Sequence, residues 1–340
     1  MYNQAIINIR PLGFLWDTRD PFLFCANHED AYPAGNTEQG PAASLEGRNI
    51  GQDFAMENPW RMYHGDRVPG FPAHPHRGFE TITIVLNGFV DHSDSHGATG
   101  RYGNGDVQWM TAGSGLQHAE MFPCVYTDKP NPLKLFQVWL NLPKVNKMTE
   151  PFYKMLWAEL IPTVQVTNET GKNTQLTLIA GKYMDISAPP PAPDSWAADP
   201  NNLVAIWLIN MEAAATWILP SVEAPVSRSL YFYKGDTLTI EGMKVNVNHS
   251  IEVMPDNDLL LTSGDQPASI LMLQGMPIGE PIAQYGPFVM NTREEIMQAY
   301  QDYQQTRFGG WPWNSYDPVN PQTSGRFARY ANGSEEKPQA

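Results

Sequence analysis

The chain has 340 residues, more than one hydrophobic core usually serves, so two domains are expected. Hydrophobic residues make up 42%, enough for sizeable cores, while a net charge of -14 with no basic stripe argues against nucleic-acid binding and against docking on anionic lipid. Cys25 and Cys124 are the only cysteines, too few for a disulfide framework, which fits a reducing cytoplasm.

Residues 1–14 contain Arg10 and Pro11 and no uninterrupted apolar run, so they read neither as a signal peptide nor as a membrane anchor. No later stretch is long and apolar enough to span a bilayer as a helix. Residues 35–58, rich in Gly, Asn, Gln and Ala, read as a long loop. From Phe71 to Leu142 the pattern changes to short β-rich segments closed by glycine turns. Residues 81–86 form one such run, followed by Asn87-Gly88, a strong hairpin signal. Residues 106–110 form another, and Phe136, Val138, Leu140 and Leu142 alternate with Gln137, Trp139 and Asn141 as a two-faced strand should.

A second β-rich stretch covers residues 175–274, with strands expected at 203–209, 229–233 and 270–273 and an exposed, stiff proline loop at 188–193. After Pro287 the period becomes helical. Thr292 and Glu295 form a capping-box pair, Ile296, Met297, Tyr300 and Tyr303 can line one face, and Gly309-Gly310 end the helix. Residues 333–340 read as a polar, disordered end. The fold expected is all-β, a sandwich or barrel repeated, with a C-terminal helix.

Five of the eight histidines lie between His74 and His118, whereas the second β-rich stretch has only His249. His74 and His76 are two apart, so on a strand both imidazoles project from one face, and His118 with Glu120 repeats the spacing. Three imidazoles and a carboxylate suit a divalent first-row metal such as iron and leave positions open, although zinc accepts the same donors. Glu80 has the same parity as the first pair and competes with Glu120 for the carboxylate role. The segment holding His92, Asp94 and His96 reads as a turn rather than a second metal site. Cys124 reads as a small buried residue, and Arg77 as a partner for a carboxylate such as Glu80 or for an anionic substrate. Phe71, Trp109, Met110 and Gln117 flank the ligands and are candidates for a substrate pocket.

The run His74-Pro75-His76-Arg77-Gly78-Phe79-Glu80-Thr81, then Gly105-Asp106-Val107-Gln108-Trp109-Met110-Thr111-Ala112-Gly113, His118-Ala119-Glu120 and Gly286-Pro287-Phe288-Val289-Met290-Asn291-Thr292, resembles the pirin family of the cupin superfamily. The resemblance spans approximately residues 21–308. It implies two cupin-type β-barrel (jelly-roll) domains: residues 1–145 binding metal, residues 146–310 metal-free and carrying the final helix, then an extended tail at 311–340. It also implies one Fe(II) per chain, held by His74, His76, His118 and Glu120, with Glu80 unused. Other divalent first-row metals match the same donors.

Two functions follow from that resemblance. The first is a quercetin 2,3-dioxygenase-type oxygenase cleaving a flavonol or related aromatic with O2, with Glu120 as both ligand and base. The alternative is a non-enzymatic, iron-dependent regulatory cofactor that binds a transcription factor or metabolic enzyme. An acidic surface favours a protein partner over direct contact with nucleic acid. The insertion at 35–58, the proline loop and the tail depart from the family pattern.

Overall fold

The computed structural model describes residues 5–222 and 225–338. The last two residues of the expected tail, and the first four of the chain, lie outside them. Among the described residues no helix is long and apolar enough to cross a membrane. The chain forms two compact units, one of residues 26–159 with 280–340, the other of residues 1–25 with 160–279. These bounds differ from the sequence boundaries at 145 and 310. The final helix and the tail belong to the histidine-bearing unit.

The histidine-bearing unit is built from two antiparallel sheets. One runs in the order Phe152–Leu156, Val107–Thr111, Phe79–Asn87, Asn131–Asn141, then Phe22–Tyr32, whose second half belongs to this unit. The other runs Glu335–Glu336, Phe327–Arg329, Thr99–Gly103, Phe89–Asp94, Leu116–Met121, Gly70–His76. The ladders remain two open sheets, so the barrel expectation resolves into its jelly-roll form. Asn87-Gly88 makes the expected tight turn, with Gly88 at φ +85°. Its flanking strands do not pair with each other; the turn carries the chain from one sheet to the other. Residues 35–58 hold no strand or helix, as expected of a loop. Arg48 secures that loop by bonding Asp53 (2.7 Å) and lying over the Trp60 ring.

The other unit repeats the plan with apolar filling. A seven-stranded sheet contains Ala205–Met211, Ser227–Lys234 and Ala268–Gly275, covering the strands expected at 229–233 and 270–273 and all but the first two residues of that expected at 203–209, and a four-stranded sheet contains Thr237–Ile240 and Leu259–Ser263. Leu176, Trp207, Leu230, Phe232, Leu238, Leu261, Ile270 and Met272 share one core between the two sheets. The proline loop is less exposed than its composition suggests, with Ala192 fully buried.

The helix Arg293–Thr306 starts at the expected capping box: Thr292 Oγ1 accepts from Glu295 N (3.2 Å) and Glu295 Oε2 accepts from Thr292 N (2.9 Å). Its inner face is Ile296 and Ala299, packed with Phe288, Met290 and Phe308. Met297, placed on that face by sequence spacing, is instead exposed. The tail is ordered by pairing rather than free. Phe327–Arg329 extends the sheet beside Thr99–Gly103, and Glu335–Glu336 pairs with Phe327–Arg329 in turn. A buried guanidinium holds it: Arg101 grips both oxygens of Asp91 (2.7 Å each) and donates to the main-chain carbonyls of Asn320, Pro321, Gln322 and Ser324.

Candidate metal centre

The strand Gly70–His76 lies at a sheet edge, which is where its Pro72 and Pro75 can be tolerated without breaking a ladder. It pairs with Leu116–Met121 so that His74 faces His118 directly, with a bulge between Phe71 and His74 that also sets Phe71 opposite Glu120. After His76 the chain turns sharply at Gly78, φ +86°. A Cβ there would meet the Val289 carbonyl oxygen at 2.0 Å, so only glycine fits.

One ligand atom from each of His74, His76 and His118 lies within 4.8 Å of the others. The ring faces are fixed by backbone acceptors. His74 Nδ1 donates to the Pro72 carbonyl (2.8 Å), and His76 Nδ1 lies 3.3 Å from that of Pro287. Each bond leaves the lone pair on Nε2, the arrangement common in metal-ligating histidines. His118 is fully buried, and neither of its ring nitrogens has a hydrogen-bond partner. Burial pushes His74 down to about 4 and His76 and His118 well below the usual imidazole value, so all three are neutral donors. Orphaned buried nitrogens normally carry a cost of about 1–3 kcal/mol each. A cation at their meeting point would remove it. The residues present fit a divalent metal.

Glu120 stands beside this cluster, its Oε2 3.8 Å from His118 Nε2. Its oxygens accept hydrogen bonds from Thr83 Oγ1 (3.0 Å), Gln137 Nε2 (2.5 Å) and, more weakly, Tyr102 OH (3.5 Å). Burial raises its pKa, opposed by nearby His92 and by these donors. Glu80 is placed elsewhere. Because Thr83 faces Glu120, odd-numbered residues of its strand face the centre and Glu80 faces away. Glu80 Oε1 instead accepts from Thr111 Oγ1 (2.7 Å) and Trp109 Nε1 (3.0 Å).

The same parity sorts the remaining candidates. Cross-strand register pairs Ile82 with Trp109 and Thr81 with Met110, so Trp109 points away from the histidines and Met110 toward them. Gln117 alternates with His118 and faces outward; it accepts from Tyr303 OH (2.8 Å) and donates to the Arg307 and Gly310 carbonyls. Phe71 stays close, its ring centroid 6.3 Å from that of His74. Arg77 does not pair with Glu80. It bonds Asp302 (2.7 Å) and the Ser114 carbonyl, and lies over the Phe308 ring, tying the final helix to its own unit. Cys124 is buried, its thiol pushed up to about 12 by burial.

Several residues at the centre escaped sequence reading. His92 sits on the strand Phe89–Asp94, opposite Glu120 and with its ring 5.6 Å from that of His118. Asp94 is opposite His118, accepts from the His96 and Ala98 N–H groups, and lies 3.2 Å from His92 Nε2. The turn reading holds for His96 and misses that His92 and Asp94 are strand residues facing inward. Gln137 and Trp139 could have been found from the alternation already noted, since they share the face opposite Phe136 and Val138. Trp139 stacks on Phe79 at 3.9 Å and meets the His76 ring edge at 5.2 Å.

Residues 42–140 match the family model described as Pirin, and residues 206–309 the one described as Pirin C-terminal cupin domain. The chain belongs to the pirin family. It is 33% identical to human pirin over 264 residues, covering 73% of this chain and 80% of that one. A provisionally named quercetin 2,3-dioxygenase of Pseudomonas aeruginosa is 36% identical over 248 residues, 70% of this chain and 79% of the relative. The fold is similar to the crystal structure of quercetin 2,3-dioxygenase from Acinetobacter baumannii, with a TM-score of 0.71 and 25% identity, over 90% of this chain and 98% of that one. The histidine cluster lies within the first matched segment, and the second segment has a single histidine, His249.

Proposed function

We propose that the chain is an Fe(II)-dependent dioxygenase of the quercetin 2,3-dioxygenase type, cleaving a flavonol or related aromatic with O2. The reading is supported by the names of its relatives. What carries it in this chain is the trio of neutral, desolvated imidazoles with a buried carboxylate alongside. His74, His76, His118 and Glu120 would hold the metal. When bound, the metal supplies a Lewis-acid and redox-active centre at which an enolic hydroxyl is acidified and O2 can react.

The protein's own contribution is to place a base and keep water out. Glu120, its proton affinity raised by burial, takes the 3-hydroxyl proton of the flavonol. Thr83 and Gln137 hold its two oxygens so that the carboxylate does not swing away as it gains that proton. His74 is the half-buried member of the trio, so substrate reaches the centre past its edge, beside Phe71.

Anaerobic reconstitution with Fe(II), followed by oxygen uptake with and without quercetin, tests the reading. Uptake that requires both metal and flavonol, and that Glu120→Gln abolishes, is the expected result. Full iron loading with no flavonol-dependent uptake would instead support the regulatory role.

A further inference from the structure

A concavity of about 480 Å³ opens in the unit that lacks the histidine cluster, and all its lining residues belong to that unit. The volume is ordinary for a small-molecule site, where roughly 300–1,000 Å³ is usual. It lies at one end of the inner face of the seven-stranded sheet. Leu230, Phe232, Ile270 and Met272 fill that face, and strand alternation continues it to Arg228 and Gln274. Register sets Gln274 opposite both Arg228 and Ala205, so the apolar filling gives way to a polar pair where the cavity begins.

This pair leaves a charge uncompensated. Arg228 is 2% exposed; its Nε donates to Gln274 Oε1 (2.8 Å) and its Nη1 to the Pro220 carbonyl (2.9 Å). Both acceptors are neutral, so they satisfy hydrogen bonds without cancelling the charge. Among the described residues no carboxylate pairs with Arg228, and its Nη2 has no partner. Asp258 acts on it only from beyond ion-pair distance, and burial outweighs that help, pushing the guanidinium down to about 10. A buried guanidinium without a counter-ion is costly, and an entering anion would relieve the cost.

A second donor of the same wall is also unsatisfied. Trp207 Nε1 is buried with no acceptor among the described residues, whereas Trp217 Nε1 reaches Tyr183 OH (3.3 Å). Tyr183 meets the Trp207 ring edge-on at 5.7 Å, so that ring is placed before any ligand arrives and costs little further ordering. Residues 189–191 of the proline loop add more apolar wall. They lie between the matched segments 42–140 and 206–309, so the family resemblance does not carry this wall.

Charge and shape select the class of ligand. Besides Arg228 the lining holds one cation, Lys182, and one carboxylate, Asp199, both exposed and so screened by water. Asp258, outside the lining, is exposed as well. The charge that water does not screen is positive and single. It balances a monoanion, while a dianion would bring a second charge that no buried group of the lining meets. The apolar surround calls for an apolar body behind that charge.

We propose that this cavity binds a small organic monocarboxylate, its carboxylate on Arg228 and its apolar body against Trp207 and the proline loop.

Calorimetric titration of the full-length, metal-loaded protein with phenylacetate, and with neutral phenylacetamide of similar shape, tests it. Phenylacetate should bind about tenfold more tightly, as a charge-assisted hydrogen bond predicts. Arg228→Gln should bring the two probes to the same affinity. Lys182→Glu, at an exposed position of the rim, should weaken phenylacetate about threefold and leave the amide unchanged. His118→Ala, stripped of metal, should keep the phenylacetate affinity. Absence of binding at millimolar probe, equal affinity for the two probes in the parent, or unchanged selectivity in Arg228→Gln would each overturn the proposal. Loss of binding in His118→Ala would do the same, by moving the carboxylate to the metal centre. Should Arg228→Gln fail to fold, an unchanged phenylacetate affinity in Lys182→Glu overturns it instead.

Discussion

The two units have the same two-sheet plan and fill it in opposite ways. In one, the inner faces carry Leu230, Phe232, Leu238, Leu261 and Ile270, whose burial contributes about 1.5–3 kcal/mol per side chain. In the other, the corresponding kind of surface carries His74, His76, His92, His118 and Glu120, all of which lose hydration there. The sheets of the apolar unit are stable through their filling. Those of the histidine-bearing unit give up part of that filling, and the deficit marks the place where a bound cation does most for the fold. One sheet keeps an apolar patch on its other face: Ile82, Ile84, Val138 and Leu140 are fully buried behind the centre, beside Glu80.

The largest expected effect of breaking this contrast is on metal content. His118→Ala should reduce bound iron from about one per chain to near zero by elemental analysis, since it removes one of only three imidazoles. The same site filled apolarly, His118→Leu, should raise the melting temperature of the chelator-treated protein, because the nitrogens it deletes have no partners. A full metal complement in either variant would show that the ion sits elsewhere.

Glu120→Gln and Glu80→Gln, compared side by side, come next. The first should lose most of the iron and all oxygenase activity. The second should keep the iron, with activity lowered by no more than the roughly 10–100-fold typical of groups that act through a ligand. The reverse pattern would assign the carboxylate to Glu80.

Acid should then distinguish metal-free from metal-loaded protein. Burial holds His28 at about 3 and His74 at about 4 in the folded chain, below the ordinary 6.5. The unfolded chain therefore takes up protons first as pH falls. The stability from these neutral rings is complete above about pH 6.5 and declines toward pH 4. Glu120 and Asp91, raised by burial, act in the opposite sense at the acid end. Urea midpoints of metal-free protein should drop between pH 7 and 5, less steeply for His118→Leu. A flat profile in the parent would contradict the neutral assignment.

The smallest effect lies at the helix: Thr292→Ala should cost about 1 kcal/mol in chemical denaturation, with metal content unchanged.

Spacing made the histidine pairs, most strands and the capping box legible, because each depends on residues two to four apart. Whatever depended on sheet register was not. Trp109 and Gln117 are sequence neighbours of residues at the centre, yet strand alternation turns both away, toward Glu80 and Tyr303. Asn87-Gly88 specifies a tight turn but not which sheet the chain enters next. His92 was hidden because its Asp- and Ser-rich surroundings resemble a turn, although only the segment after Asp94 bends. The division into units was equally hidden, since residues 280–338 return to a sheet completed more than a hundred residues earlier.

The grip of Arg101 on the tail has a consequence for how such chains drift apart. On the tail, the guanidinium touches the carbonyl oxygens of residues 320, 321, 322 and 324, and Asp91 Oδ2 takes the backbone N–H of Asn320. Side chains add to the lock at two positions, Asn320 donating to the Gly100 carbonyl (3.1 Å) and Gln322 to that of Val125 (2.8 Å). A lock built mainly on peptide groups imposes little spelling on the rest of the segment it holds. Descendants could rewrite residues 321 and 324 freely and still be fastened in the same groove, and the trace of a common docking would be the buried Asp91–Arg101 pair on the receiving side.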